Sequence, residues 1–389
     1  MRILIFNFEY PPLGGGGGVA TKDLAQELAK DNEVHVITTA PSRQLKESLG
    51  DVPIEEVSGN LHVHRVPVIG RTQVAVSSLI SMLTFVPTAG WYGWRLTTRV
   101  QFDVINAQFA VPSGLPAALV ARLRSIPFVL SFIGGDLYDP SKGVSPHRHP
   151  ILRWLIRRIA AQATVATAIS EDTKRRAREL HSVTLPIEVT HIGLVPRKFG
   201  TASRAQLKLP EAAQLAVTVG RLIPRKGYRE LLAAWADVPE AHLAIIGDGP
   251  LRDELTSLAE SLGITDRVRL LGYQSEEIKA QVLRAADYYV SAAQHEGFGI
   301  VFLEAMAAGL PIVATNNGGH TDFLTTQRNA LLVPPGNKEE LVKALARLTA
   351  DTNLQTSMAA ANKEDVREFY VDKTSARFMN VLRGAIERG

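Results

Sequence analysis

Residues 215–236 read LAVTVGRLIPRKGYRELLAAWA, and the architecture turns on this stretch. The run 215–219 is short and apolar, as a buried strand is, and it stops at Gly220. A turn containing Pro224 and Gly227 follows, and 227–236 reads as a helix. The alternation then repeats, with strands at 242–246, 268–270, 288–291 and 311–314 and helices at 251–262, 276–286 and 301–308. Strands alternating with helices in this way predict a parallel sheet covered on both faces, a Rossmann-like domain.

The first half carries the same signature. A strand at 2–8 leads into a Gly-rich turn at 11–18, a helix at 19–28 and a strand at 33–38. Further short apolar strands are expected at 104–106, 128–132 and 165–168, and a polar, basic helix at 171–180. Periodicity is lost between about residues 193 and 210, where Gly, Pro and Lys/Arg accumulate. The expectation is therefore two Rossmann-like α/β domains, 1–195 and 196–375, facing one another across a deep interdomain cleft. C-terminal helices are expected at 354–369 and 375–388, with 376–389 returning to the first domain. A length of 389 residues agrees with two domains of roughly 100–200 residues each.

Composition narrows the chemistry. Cys is absent, which excludes disulfides, a thiol nucleophile and thiolate metal sites. The opening MRILIFNF reads as a buried strand rather than a signal peptide, so a cytoplasmic location is expected. Net charge is +4, but it is unevenly spread. Residues 60–170 hold eleven Lys/Arg, Lys142 among them, against Asp103, Asp136 and Asp139, a local excess of +8. Such a region suits a phosphorylated substrate or an anionic lipid surface. No nucleic-acid recognition motif accompanies it. Within it, 74–94 (VAVSSLISMLTFVPTAGWYGW) carries no charge, yet Pro87, Gly90 and Gly93 interrupt it. It reads either as a buried helix with a loop or as a surface for lipid, flanked by Arg71 and Arg95.

Three segments carry candidate chemistry. Five consecutive glycines, Gly14–Gly18, allow close backbone approach to a ligand, with Gly16 and Gly17 at the expected anion-binding turn. Arg221 and Lys226 lie between strand and helix, where open α/β sheets bind ligands, and suit a diphosphate. Arg225 reads as a surface residue. In His295–Glu304, two carboxylates bracket a Gly-Phe-Gly turn. Glu304 can accept from a ribose diol, Glu296 can meet a sugar hydroxyl, and the helix start near Gly299 and Ile300 can face phosphate. The pairs His147/His149 and His62/His64 read as ordinary solvated or strand histidines, and no metal cluster is expected. No G-K-[ST] phosphate loop or G-x-S-x-G elbow is present.

With Gly220-Arg221-Leu222, Lys226-Gly227, Gly247-Asp248-Gly249-Pro250, Glu296-Gly297-Phe298-Gly299 and Glu304-Ala305-Met306-Ala307-Ala308-Gly309, the chain resembles the retaining glycosyltransferases of family 4, which have the GT-B fold. Pro311–Ala314 and Gly318-Gly319 extend the likeness; over 1–195 it is looser, resting on the Gly-rich loop, Gly134-Gly135-Asp136 and Ser170-Glu171. The resemblance implies transfer of a sugar from a nucleotide-diphosphate sugar to a hydroxyl, with retained configuration and no metal or other cofactor. It assigns donor contacts to Gly16, Gly17, Gly220, Arg221, Lys226, Gly249, Glu296, Phe298, Gly299, Ile300 and Glu304. Arg221, Lys226, Glu296 and Asp136 are the expected catalytic set.

Two departures stand out. Ile133 occupies the position of a histidine common in the family, and Ile192-Gly193-Leu194-Val195 replaces Asn-Gly-x-Asp. They leave open a weakly active or partner-dependent protein, and a GT-B sugar-nucleotide epimerase is the other alternative. No nucleophile is evident in the first domain, so front-face displacement is expected, with a covalent sugar on Asp136 as its rival. The expected acceptor is a lipid-linked or polysaccharide-precursor hydroxyl met at the inner face of the cell membrane, where Arg71, Arg95 and Arg99 would contact lipid phosphates. A soluble acceptor is the rival.

Overall fold

The computed structural model describes residues 1–74, 77–140, 145–197, 199–238 and 241–389. Residues 75–76 of the uncharged stretch and Lys142 of the basic region lie outside the described residues. Backbone contacts divide the chain into two units, residues 1–195 with 370–389, and residues 196–369.

The first unit is built on an eight-stranded sheet in the order β3-β4-β2-β1-β5-β6-β7-β8. Its strands are β1 (Arg2–Asn7), β2 (Glu33–Thr39), β3 (Glu55–Ser58), β4 (Leu61–Val66), β5 (Val104–Gln108), β6 (Phe128–Phe132), β7 (Val165–Ala168) and β8 (Ile187–Val189). Only β3 runs antiparallel, against β4. Ile3 and Ile5 on β1 point to one apolar core and Leu4 and Phe6 to another, so the central strands are buried on both faces. That double burial is why they read as continuous apolar runs rather than alternating ones.

One of these cores is closed by the helices Gly16–Leu28 and Val371–Arg388, the latter through Phe378, Leu382 and Ala385. The returning segment thus begins at Tyr370, ahead of the expected 376. The cause is local: the Val371 amide donates to the Leu194 carbonyl at 3.0 Å, and Gly193 lies so close to Val371 that a Cβ there would sit 2.5 Å from its Cα. The first helix also begins early, at Gly16 rather than 19. Three glycines make a poor first turn in isolation. Here a Cβ at position 17 would meet the Phe109 ring at 2.6 Å and Ile133 at 3.2 Å, so packing demands the small residue.

The helices Leu79–Leu96, Gly114–Arg124 and Pro150–Ala160 close the other core. Pro87 does not break the first of these. It lies on the exposed side, where water can take the carbonyl left without its amide donor. Phe85, Ala89, Gly90 and Gly93 form the buried side. Arg71, expected at the surface, is 1% exposed: Nη1 donates to the Phe8 carbonyl at 3.3 Å and to Thr39 Oγ1 at 3.0 Å. It braces the loop after β1 and is out of reach of lipid. No helix among the described residues is long and apolar enough to cross a membrane.

The second unit holds six parallel strands in the order β11-β10-β9-β12-β13-β14. They are β9 (Gln214–Val219), β10 (Ala241–Ile246), β11 (Val268–Gly272), β12 (Tyr288–Ser291), β13 (Ile312–Thr315) and β14 (Ala330–Val333). The chain leaves β9 to one side for β10 and returns on the other for β12. This places the topological switch point between β9 and β12, where such sheets bind ligands beyond the strand carboxyl ends.

Two glycines of the helix Leu79–Leu96 should respond oppositely to alanine. A Cβ at Gly93 would lie 2.5 Å from the Phe6 ring, whereas one at Gly90 would meet Pro116 at an ordinary 3.6 Å. Gly93→Ala should cost about 1–3 kcal/mol in urea denaturation by overpacking. Gly90→Ala should be neutral or stabilise by up to about 1 kcal/mol through helix propensity.

Candidate functional site

The turns after β9, β12 and β13 meet at the carboxyl edge of the second sheet. Lys226 ends the one-turn helix Pro224–Lys226, and Glu296 follows β12. Their side chains form an ion pair, Lys226 Nζ donating to Glu296 Oε2, with both largely buried. Arg225, read as a surface residue, in fact packs inward: Nη1 donates to the His295 carbonyl at 3.3 Å and lies 3.8 Å from Glu296 Oε1. Burial pushes the Glu296 carboxyl up, but the Lys226 and Arg225 charges and the Lys226 hydrogen bond outweigh it and hold the group down at about 2. The backbone of Glu296 is fixed as well, its carbonyl accepting from the Gly319 amide at 2.8 Å.

Gly299 precedes the helix Ile300–Ala308 with φ +85°, a left-handed conformation in which a side chain would strain the turn. The helix start has no side-chain cap and no acid in its first turn; the Phe302 amide donates to the Gly299 carbonyl at 2.9 Å, which leaves the first amides, those of Ile300 and Val301, to an anion. Glu304, one turn inside, is 6% exposed. Its Oε1 accepts from Lys279 Nζ at 2.8 Å and lies 4.0 Å from Arg197 Nη1. Its Oε2 is buried without a hydrogen-bond partner among the described residues. A buried carboxylate oxygen left open in this way is an acceptor awaiting a donor.

The remaining expected residues of this edge take different positions. Arg221 is exposed, and its side chain makes no hydrogen bond or ion pair among the described residues. Gly220 lies beside Lys226, its carbonyl accepting from Tyr228 Oη at 2.9 Å, and Gly249 packs against the backbone of Leu222. Phe298 is buried edge-on against Phe323, so only its backbone can face a ligand. Lys279 and His320 went unforeseen: Lys279 reads as a solvated helix residue, and His320 stacks on Phe302 at 4.8 Å in the core. Lys279 pairs with Glu276 in its own helix, but its contact with Glu304, like those of His320 with Phe302 and the Thr315 carbonyl, joins different elements and leaves no local signal.

In the first unit, Gly16 is open at the helix start and Gly17 is closed over by Phe109 and Ile133. Asp136 is 4% exposed; Oδ2 accepts from the Ala110 amide at 2.6 Å and Oδ1 from the Ile133 amide at 3.1 Å. Burial raises its carboxyl to about 6, against those amide hydrogen bonds. Both oxygens are therefore occupied in tying the loop after β6 to the loop after β5. The two bonds brace these loops against each other.

The histidines read as ordinary are brought together. His35 on β2 lies in register beside His62 on β4, the rings stacked 4.4 Å apart and 6° from parallel. His35 Nδ1 is 3.0 Å from His64 Nε2, and Tyr92 Oη is 3.0 Å from His64 Nδ1. Burial, with His35 nearby, pushes His64 down to about 4. Glu33, His35 and His62 are close enough to hold a metal ion. Cofacial rings aim their lone pairs in parallel rather than at one point, however, and Glu33 is paired with Arg2.

The Glu296 carboxyl is depressed by folding, so its stabilising contribution is present above the unfolded value near 4.5 and is lost as pH falls towards about 2. Comparing wild type with Glu296→Gln by denaturant unfolding should show a stability gap at pH 7 that narrows below pH 4.5. A gap that widens on acidification would contradict the pairing.

Residues 15–193 match the Glycosyl transferase 4-like domain, and residues 200–365 match Glycosyl transferases group 1. The lipopolysaccharide core biosynthesis glycosyltransferase LpsE of Rhizobium meliloti is 37% identical over 180 residues, 46% of this chain and 52% of that protein. The match thus spans about half the length of that relative. The sucrose-phosphate synthase of Thermosynechococcus elongatus superposes with a TM-score of 0.84 over 100% of both chains at 21% identity. Anabaena Alr3699/HepE in complex with UDP does so with 0.78, over 99% of this chain and 100% of that one, at 20%. Two parallel-sheet α/β units, each matched along nearly its whole length by a glycosyltransferase family, leave one assignment: the chain belongs to the group 1, family 4 glycosyltransferases of the GT-B fold.

Proposed function

We propose that this glycosyltransferase takes a sugar from a nucleotide-diphosphate sugar held at the carboxyl edge of the second sheet. The observation that carries the reading is the buried, open Oε2 of Glu304 on the same edge as Lys226, Arg221 and an uncapped helix start. A ribose hydroxyl would donate to Glu304. The diphosphate would meet the helix amides, Lys226 and Arg221, and Glu296 would contact the sugar. The UDP complex of a fold neighbour supports a nucleotide donor.

In the proposed reaction the bond from anomeric carbon to diphosphate oxygen breaks. A new glycosidic bond forms on the same face to the acceptor oxygen, and the acceptor proton passes to the departing diphosphate. Charge grows on the diphosphate as it leaves, so Arg221 and Lys226 stabilise the transition state more than the ground state. They supply that charge without a metal. The engagement of both Asp136 oxygens by amides favours this front-face route over a covalent sugar on Asp136. The acceptor proposed is a hydroxyl of a lipid-linked or polysaccharide precursor, which the lipopolysaccharide role in the name of LpsE supports.

Lys226→Ala should lower kcat by about 10²-fold or more, as loss of one preorganised charge does. Near wild-type turnover at saturating donor would contradict the assignment. Product analysis tests the reaction class: a retained glycoside is expected, and an epimerised nucleotide sugar would replace the reading.

A further inference from the structure

Three neighbouring helices of the first unit present an outer face with an unusual composition. Leu79–Leu96, Gly114–Arg124 and Pro150–Ala160 cover the same side of the sheet, and none contains Asp or Glu. Their inner sides carry the core, while their outer sides expose large apolar residues instead of the usual polar ones. Leu83 is 63% exposed, Trp91 57%, Leu123 61% and Trp154 50%. Exposed tryptophans and leucines gathered on one face are uncommon on a water-facing surface.

The charges are arranged around these rings. Arg95 lies over Trp91 at 4.8 Å, Arg124 over Trp94 at 5.4 Å and Arg158 over Trp154 at 5.6 Å. Arg124 also donates from Nε to Thr97 Oγ1 at 3.1 Å and from Nη2 to the Trp94 carbonyl at 3.2 Å, whereas the Arg95 and Arg158 side chains make no hydrogen bond among the described residues and keep their N–H donors for phosphate oxygens. Arg122, Arg153 and Arg157 are exposed beside them. One exposed acid, Glu55, reaches the edge of the patch, accepting from Tyr92 Oη at 2.8 Å, and the three acids within residues 60–170 do not neutralise the rest. Asp136 and Asp139 are buried, and Asp103 accepts from the Arg2 amide at 2.7 Å.

The geometry points to an anionic phospholipid surface as the occupant of this face. We infer that the three helices rest on the bilayer, with the indoles and leucines at the acyl boundary and the arginines on lipid phosphates. A second copy of this chain fits poorly, because a two-fold contact would set at least six arginines of each copy against the same six with only Glu55 at the edge to offset them. The inference does not depend on the donor or the acceptor proposed above. It also relocates the lipid contact from the single stretch 74–94 to three helices, and it excludes the buried Arg71.

The test is cosedimentation of the full chain with phosphatidylcholine vesicles, with and without phosphatidylglycerol. Binding is expected to the anionic vesicles at low salt, with release at high salt. The double variant Arg157→Glu/Arg158→Glu should lower the bound fraction at least about tenfold with an unchanged unfolding midpoint. Trp91→Ser/Trp154→Ser should weaken binding without abolishing its salt sensitivity. Retention in the supernatant with anionic vesicles at low salt would overturn the inference. So would equal binding to both vesicle types, or a self-association in lipid-free buffer that the arginine variant abolishes.

Discussion

A carboxylate taken out of water needs a cation, hydrogen-bond donors or a proton, and at Glu296 the cations that meet this need organise the carboxyl edge of the second unit. Glu296 follows β12 and Lys226 follows β9, far apart in sequence, and they meet only because the two strands are neighbours across the switch point. The bridge from Glu296 to Gly318 then fixes the turn after β13 against the same edge. Arg225 adds a second positive group and a bond to the His295 carbonyl. The edge is therefore rigid and rich in charge before any ligand arrives, the condition under which electrostatics assist a reaction most.

Glu304 is treated differently by its surroundings. One oxygen is held by Lys279, which itself sits 2.9 Å from Glu276, while the other oxygen is buried and open. The pair Glu296 and Glu304 thus shows two environments for one residue type: the first carboxylate is saturated by cations, the second half-engaged. In the first unit the corresponding edge spends its carboxylate on structure. Asp136 holds two loops by their amides, and Ile133, at the position of the histidine common in the family, packs on Gly17.

Much of this was legible from residues alone. The strands at 128–132, 165–168 and 288–291 were read with the bounds observed, because a strand buried on both faces must be a short unbroken apolar run. Lys226 and Glu296 stand out in the sequence because each precedes a glycine in a strand-to-helix turn, and Glu304 because it falls one turn into the helix that follows. What was missed depends on contacts between distant residues. The early helix start at Gly16, the helix that runs through Pro87 and the burial of Arg71 are each decided by a neighbour from another element. The strand Ala330–Val333 and helix Lys338–Ala350 went unread, as did the histidines that gather on β2 and β4. Lys279 and Arg225 gave no signal, since a lysine or arginine in a helix or turn is ordinarily solvated.

Calorimetric titration of the full chain with a panel of nucleoside diphosphates tests the central claim, a nucleotide held at this edge by Glu304 and the cations. The account predicts that at least one diphosphate binds and that Glu304→Gln weakens it by about tenfold or more, as loss of a hydrogen bond to a charged group does. Absence of binding by every member of the panel at millimolar concentration would contradict it.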